Sequence, residues 1–147
     1  MEEIIQEKIS ADHLLYVSLK YTKTCDVIQN LIIRWRRMIE ISIEHILEKA
    51  KKKKKISEIP DNPIQKIDLV KKLFRKDKNF QEVIEMQMFF RKIETLRKTR
   101  IGEFRKNVCL KVLFKGEEVD IDLEKLKEYS EKLEKFISTT KQFLLSK

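Results

Sequence analysis

The chain has 147 residues and a formal net charge of +9, and 41% of its residues are hydrophobic and 39% charged. This length suits one domain over residues 1 to 147, and the hydrophobic fraction excludes a disordered chain. The chain has only two cysteines, which argues against a disulfide framework. Its N-terminal segment is acidic, which argues against a signal peptide, and it has no apolar run long enough for a membrane helix. We therefore expect a cytoplasmic protein.

The first predicted element is a helix over residues 3 to 23, where apolar residues recur at spacings of three to four. Thr24 or Asp26 can then cap a second helix. We expect a connection at this point because Thr, Cys and Asp are mediocre helix formers. One continuous helix through residues 3 to 50 is the alternative.

The second helix has the clearest apolar stripe in the chain. Its members are Ile28, Leu31, Ile32, Trp35, Ile39, Ser42, Ile43 and Ile46. The pattern ends in KAKKKKK (49 to 55), where like charges repel, and we expect a flexible basic loop from about 49 to 62. Asn62 followed by Pro63 then predicts the start of a short third helix.

Asp77 or Asn79 can cap a long fourth helix, which we expect from about 79 to 104 with Phe104 in its apolar stripe. Met86, Met88 and Phe89 widen this stripe beyond what one neighbouring helix covers. An apolar surface of that width predicts a two-fold homodimer or a contact with a partner protein.

Past Gly102 the apolar period changes from helical to alternating, and Gly116 in KGEE marks a turn. This pattern predicts a β-hairpin over about 107 to 122, after which Asp122 can cap a last helix. The predicted fold is therefore mainly α, an antiparallel bundle of about five helices with one small β-hairpin before the last. The abundance of Lys, Glu and Ile resembles hyperthermophile usage.

No residue pattern indicates catalysis. His13 and His45 lack a nearby Cys, Ser or His at a catalytic or metal-ligand spacing, and no nucleotide-binding or hydrolase motif is present. We therefore predict no metal and no cofactor, and we do not expect an enzyme.

The positive charge is concentrated in residues 34 to 106, which hold 22 Lys or Arg and 11 Asp or Glu. Such a zone favours RNA or another polyanion, although a solvated helix surface is the alternative. Aromatic and basic residues interleave in IRWRR (33 to 37), FFRK (89 to 92) and EFRK (103 to 106). The competing interpretation places Trp35, Phe90 and Phe104 in the core, with the arginines facing water.

The order of elements carries a family resemblance. HLLYVSLKYTKT leads into a Trp-centred helix, a Lys-rich loop, a long helix ending in LRKTR and a final helix, and this layout resembles the HEPN superfamily of small α-helical domains. HEPN ribonucleases carry an Arg followed, after four to six residues, by a His. Here Arg100 can take the Arg position, but Arg105, Lys106 and Asn107 stand where the His would fall. If Arg97 takes the Arg position, the His would fall at residues 102 to 104, and none of these is His.

The resemblance implies a non-catalytic member that keeps the fold, the dimer and RNA binding, because Asn107 cannot exchange a proton near neutral pH. The predicted nucleic-acid contacts are Arg97, Arg100, Arg105, Lys106, Asn107, Arg34, Arg36 and Arg37. Two alternatives stay open: a protein-interaction subunit, such as a nucleotidyltransferase partner or toxin–antitoxin component, and a divergent metal-independent ribonuclease.

Overall fold

A computed structural model describes every residue from 1 to 147. The helices are α1 (Glu2–His13), α2 (Leu19–Tyr21), α3 (Cys25–Lys52), α4 (Pro63–Leu73), α5 (Lys78–Lys92) and α6 (Leu123–Leu145). The strands are β1 (Lys98–Ile101), β2 (Cys109–Phe114) and β3 (Glu117–Asp122). A π turn over Leu14–Ser18 joins α1 to α2 as one continuous helix, so the bundle has five helices, as predicted.

Side-chain caps begin the helices where the sequence predicts them. Thr24 Oγ1 accepts from the Val27 N–H at 3.4 Å, which starts α3 after a break at residues 22 to 24. The prediction of two helices rather than one is therefore confirmed. The other three caps are Asn62, Asp77 and Asp122, each accepting from a backbone N–H in the first turn of α4, α5 and α6.

Helix α3 is the centre of the bundle and contacts α1, α4, α5 and α6. Its predicted stripe is buried throughout. Trp35 is only 3% exposed, and its ring stacks on Phe90 with centroids 6.3 Å apart and meets the edge of Tyr129. These rings therefore belong to the core and offer no surface on which a base could stack.

The structure contradicts the prediction of one helix from 79 to 104, because α5 ends at Lys92 and a 3-10 turn follows over Ile93–Thr95. The Lys98 ammonium donates to the carbonyl oxygens of Ile93, Glu94 and Leu96 at 2.8, 3.0 and 3.1 Å. Carbonyls at a helix end lack intrahelical donors, and a cation placed there satisfies them. The chain is thus free to turn into a strand.

The predicted hairpin is confirmed as β2 and β3, and β1 adds a third strand in the order β1-β2-β3, all antiparallel. Arg100 pairs with Leu110, and Val112 pairs with both Lys98 and Val119. The sheet contacts α5 through Phe114, whose ring centroid lies 4.9 Å from that of Phe89. Met86 and Phe89 are buried inside one chain, so this part of α5 is no free surface for self-association.

The basic loop predicted from about residue 49 begins later, because helix α3 continues to Lys52. Lys54 adopts a φ of 60°, and the Lys55 N–H donates to the Ala50 carbonyl at 2.9 Å, which closes the helix end. The ammonium groups of Lys53 and Lys55 lie over the Phe143 ring at 5.6 and 5.3 Å. Part of this run therefore packs on the last turn of α6.

Candidate nucleic-acid interface

The loop that joins β1 to β2, residues 102 to 107, is built on two residues with left-handed backbone. Gly102 has a φ of +66° and Phe104 a φ of +65°. A Cβ at position 102 would lie 2.7 Å from Asn107 Oδ1 and 2.8 Å from the Asn107 carbonyl oxygen. Only glycine fits that contact, so Asn107 closes the loop on Gly102.

This loop is fixed to the junction between α2 and α3. The Phe104 N–H donates to the Lys23 carbonyl at 2.6 Å. The Glu103 carboxylate accepts from the Cys25 N–H at 3.3 and 3.4 Å, at the N-terminus of α3, where a negative charge is favoured. These two contacts fix the position of Glu103 and Phe104 against the junction.

Phe104 is 76% exposed although it adopts a conformation that bulky residues avoid. A non-glycine residue in the left-handed region costs on the order of 1–3 kcal/mol, and such strain concentrates at functional sites. Burial of the ring does not compensate for this cost here. Residue 104, which we predicted to lie in a helix stripe, is instead an aromatic side chain held out in solvent.

Two further aromatic residues are exposed in the segment that precedes the α2–α3 junction. Tyr21 is 78% exposed and ends α2, and Tyr16 is 57% exposed within the π turn. The Lys20 ammonium lies 5.8 Å from the Tyr21 ring centroid, and Lys23 Nζ donates to the Lys20 carbonyl at 2.6 Å. Interruptions of this kind in an α-helix often accompany function.

Two surface cavities connect these residues to the start of α6. One of about 260 Å³ is lined by Tyr16, Lys20, Lys23 and Lys127, among others. One of about 570 Å³ is lined by Lys106, Asn107, Lys111 and Lys127 and also by the carboxylates of Asp120, Asp122 and Glu124. Lys127 is common to both. We use the name end surface for the exposed aromatic and basic residues around the α2–α3 junction, the β1–β2 loop and the start of α6. They are Tyr16, Lys20, Tyr21, Lys23, Phe104, Arg105, Lys106 and Lys127.

Arg100 is close to this surface but already paired. Its guanidinium lies 2.6 Å from the Asp26 carboxylate and 3.5 Å from that of Glu103. The hydrogen bond from Arg100 lowers the pKa of Asp26, and the same bond raises the pKa of Arg100. Arg105 and Lys106 are exposed and take part in neither pair.

The structure does not bring Arg34, Arg36 and Arg37 to the end surface. Arg34 and Arg37 lie 3.4 and 3.6 Å from Glu7 of α1, and Arg36 lies 3.1 Å from Glu40. Arg34 is nine residues beyond the first residue of α3, or about 14 Å along the helix. These arginines therefore flank other parts of the bundle.

Arg97 is exposed and precedes β1, at the end of that strand opposite residue 102. Its carbonyl accepts from the Leu113 N–H at 2.9 Å, which extends the pairing with β2. The four residues of β1 separate Arg97 from the loop by about 13 Å. Of the eight predicted contacts, the structure joins Arg105, Lys106 and Asn107 in one loop, with Arg100 beside them.

The remaining reactive groups are scattered. His13 is exposed at the end of α1, while His45 is half-buried on α3. Cys25 is buried, its Sγ donates to the Cys109 carbonyl at 3.3 Å, and burial raises the pKa of the Cys25 thiol to about 11. A thiol with that pKa is a poor nucleophile near neutral pH. No group of three or more His, Cys, Asp or Glu residues could hold a metal ion.

Sequence reasoning missed Tyr16, Lys20, Tyr21 and Lys23. Tyr16 and Lys20 are four residues apart on a predicted helix, and a helical projection places both away from the apolar residues Leu15 and Leu19. That projection is the one feature of the sequence that indicates the exposure of Tyr16 and Lys20. The contact between residue 23 and residue 104 depends on the tertiary fold and has no local signal.

No family model, curated protein or solved structure matches the chain. No helix combines the length and apolar character needed to cross a membrane.

Proposed function

We propose that the chain binds single-stranded RNA through the end surface and does not cleave it. The observation that carries this proposal is Phe104, an exposed ring held in a strained backbone conformation between Glu103 and two cationic residues. A strained and exposed aromatic residue contributes little to folding, and a ligand that stacks on the ring accounts for its position.

Exposed rings favour an unpaired strand over a duplex. Bases in single strands are free to stack on aromatic side chains, and each such contact contributes about 1–3 kcal/mol. Tyr16 and Tyr21 precede the α2–α3 junction, the Phe104 N–H is hydrogen-bonded to Lys23 at that junction, and all three rings are exposed. Bases within a duplex are already stacked on one another and cannot use these rings.

The cations of the end surface complement the phosphates of such a strand. Arg105 and Lys106 follow Phe104 directly. The Lys23 carbonyl accepts from the Phe104 N–H, and the Lys23 ammonium donates to the Lys20 carbonyl. Phosphate neutralisation by these groups releases counterions, so binding should weaken steeply as salt rises.

We keep the classification as a non-catalytic HEPN-like protein as part of the proposal. Its support is the helical layout together with the basic segment at residues 97 to 106. The positions aligned with the HEPN motif lie on β1 and in a loop. Arg105, Lys106 and Asn107 stand where the family has its His, and side chains of these types supply no general base for attack by a 2′-hydroxyl near neutral pH. Free Cys25 and Cys109 fit the reducing cytoplasm, where we place the protein.

We also propose a two-fold dimer. Its interface is on α1 and not on the stripe of Met86, Met88 and Phe89 in α5. Ile5 and Ile9 are exposed on α1, and Ile9 is 56% accessible. They are one helical turn apart, so they form an apolar strip. Light scattering at tens of micromolar should give twice the monomer mass, and Ile9→Glu should return the monomer. A monomer mass for the wild type would remove this part of the proposal.

Fluorescence anisotropy with a labelled uridine oligonucleotide of about 12 nucleotides tests RNA binding. We expect saturable binding to the single strand, weaker binding to a duplex of equal length, and at least about tenfold weaker binding by Phe104→Asn. Lys141→Ala is the control, because Lys141 is exposed about 27 Å along α6 from Leu123. Equal affinity of Phe104→Asn and the wild type would contradict the proposal. Intact RNA after prolonged incubation supports the absence of cleavage.

A further inference from the structure

A second candidate site lies away from the end surface, in a cleft between α3, α4 and α5. The cleft has a volume of about 430 Å³, within the range typical of small-molecule sites. Arg36, Glu40 and Glu44 line it from α3, Lys66 from α4, and Gln87 and Arg91 from α5. Ile41, Ile43, Pro63 and Ile67 complete its wall.

Gln87 is the feature of this cleft that folding does not explain. Its side chain is 1% exposed, and its Nε2 donates to Glu40 Oε1 at 3.3 Å. The Glu40 carboxylate can only accept, so this contact fixes which end of the amide is the oxygen. That oxygen, Oε1, is buried with no hydrogen-bond partner. An unpaired buried acceptor destabilises a fold, and a ligand that donates to it would remove that cost.

Beside its cations the cleft also holds open hydrogen-bond acceptors. Arg36 and Gln87 both donate to Oε1 of Glu40, and Lys66 donates to Oε1 of Glu44. The second oxygen of each carboxylate is therefore left to accept, as is Gln87 Oε1. Three acceptors match an ammonium group, which has three donors.

Arg91 provides the opposite charge. It stands one helical turn beyond Gln87 on the same face of α5. The two ion pairs of the cleft, Arg36–Glu40 and Lys66–Glu44, do not use it. A free guanidinium in such a position binds a carboxylate through two parallel hydrogen bonds.

We infer that this cleft binds a small zwitterion, namely an α-amino acid with an aliphatic side chain. Its ammonium group is held by Gln87 Oε1 and the carboxylates of Glu40 and Glu44, its carboxylate by Arg91, and its side chain by the isoleucines of the wall. Oε1 lies beneath the cleft surface, so binding requires the Gln87 amide to shift toward the ligand while its Nε2 keeps the hydrogen bond to Glu40 Oε1.

Isothermal titration of the full chain with L-leucine tests the inference. We expect saturable binding to the wild type, and binding at least about tenfold weaker for N-acetyl-L-leucine and for L-leucinamide, because each lacks one of the two charges. Gln87→Met removes the acceptor at nearly constant volume, and Arg91→Gln removes the cation. Each should weaken leucine binding about tenfold or more.

Arg75→Gln is the matched control, because Arg75 is exposed at the opposite end of α4 from Pro63. It should bind leucine like the wild type. No saturation of the wild type up to about 10 mM leucine, or equal affinity for leucine and N-acetyl-L-leucine, would overturn the inference. Thermal melts of the variants separate loss of folding from loss of the site. RNA binding by Gln87→Met should be unchanged, which distinguishes this site from the end surface.

Discussion

The guanidinium of Arg100, a predicted phosphate contact, lies 2.6 Å from the carboxylate of Asp26 and joins a strand to a helix. Asp26 stands in the first turn of α3, and Arg100 stands in β1. The pair therefore connects the sheet to the central helix of the bundle, and the neighbouring Arg105 and Lys106 take no part in it.

This division of roles predicts different effects for neighbouring substitutions. Arg105→Ala with Lys106→Ala should weaken binding to single-stranded RNA and reduce the slope of log affinity against log salt by about 1.4, since each phosphate contact contributes about 0.7. Arg100→Ala should leave the slope unchanged because Asp26 already neutralises that charge. Anisotropy titrations over a range of salt concentrations measure both slopes.

An unaltered slope in the double variant would be inconsistent with this interface. The binding surface would then lie elsewhere in the basic region, most plainly at Arg34, Arg36 and Arg37 and the lysines of residues 51 to 55.

Acid should remove what the Arg100–Asp26 pair contributes to stability. Arg100 lowers the pKa of Asp26 below its usual value, first through the hydrogen bond and then through its charge. A depressed carboxyl pKa stabilises the fold above the unfolded-state pKa of about 3.9, and that contribution is lost as pH falls through the folded value. The stability difference between the wild type and Arg100→Gln should thus be present at neutral pH and decline as the pH falls below about 4.

Urea unfolding at several pH values measures that difference, and NMR titration of the Asp26 carboxyl gives its midpoint in each protein. The midpoint should be lower in the wild type than in Arg100→Gln. Identical midpoints would show that the pair does not persist in solution.

Phe104→Asn should stabilise the protein while it weakens RNA binding. Asparagine tolerates a positive φ far better than phenylalanine, and the exposed ring of Phe104 gives up little burial when removed. Relief of about 1 kcal/mol of strain corresponds to a rise in Tm of roughly 2–4 °C for a chain of this size. Calorimetry measures the change, and Phe104→Ala, which keeps the strain, serves as the comparison.

A lower Tm for Phe104→Asn than for Phe104→Ala would mean that the ring supports the fold after all. The proposal that Phe104 is held for a ligand would then lose its basis.

The Cys25 thiol should react slowly in the native protein. Burial raises its pKa to about 11, so the thiolate is scarce near pH 8 and the sulfur is also covered. Since the folded-state pKa is the higher one, the contribution of this group to stability is complete below the unfolded value and declines as pH rises from about 9 toward 11. Labelling by iodoacetamide should therefore be slow at pH 8 and become fast in urea. Rapid native labelling of Cys25 would contradict the buried position.

The helices could be predicted from sequence because their signals are local. The stripe from Ile28 to Ile46 and the caps at Thr24, Asn62, Asp77 and Asp122 lie within a few residues of the elements they define. The end of α5 could not be predicted in this way. It depends on the Lys98 ammonium, which lies beyond the helix, and on pairing of residues 98 to 101 with β2.

The candidate site was predictable only in part, for the same reason. Arg105 and Lys106 stand out as a basic pair in the sequence, but the exposure of Phe104 follows from its loop. The ion pairs of Arg34 and Arg37 with Glu7 join residues on different helices, and no local pattern indicates them. Charge in the sequence identified the basic region, whereas the tertiary fold determines which charges are free.

The hydrogen bond between the Cys25 N–H and Glu103 joins positions 78 residues apart. Closing so long a segment is entropically costly, and contacts of that separation form late in folding. The end surface therefore exists only once the helices and the sheet have docked on one another. Fraying of the three-stranded sheet would abolish it while most helical structure persisted, so the proposed RNA binding would report completion of the fold.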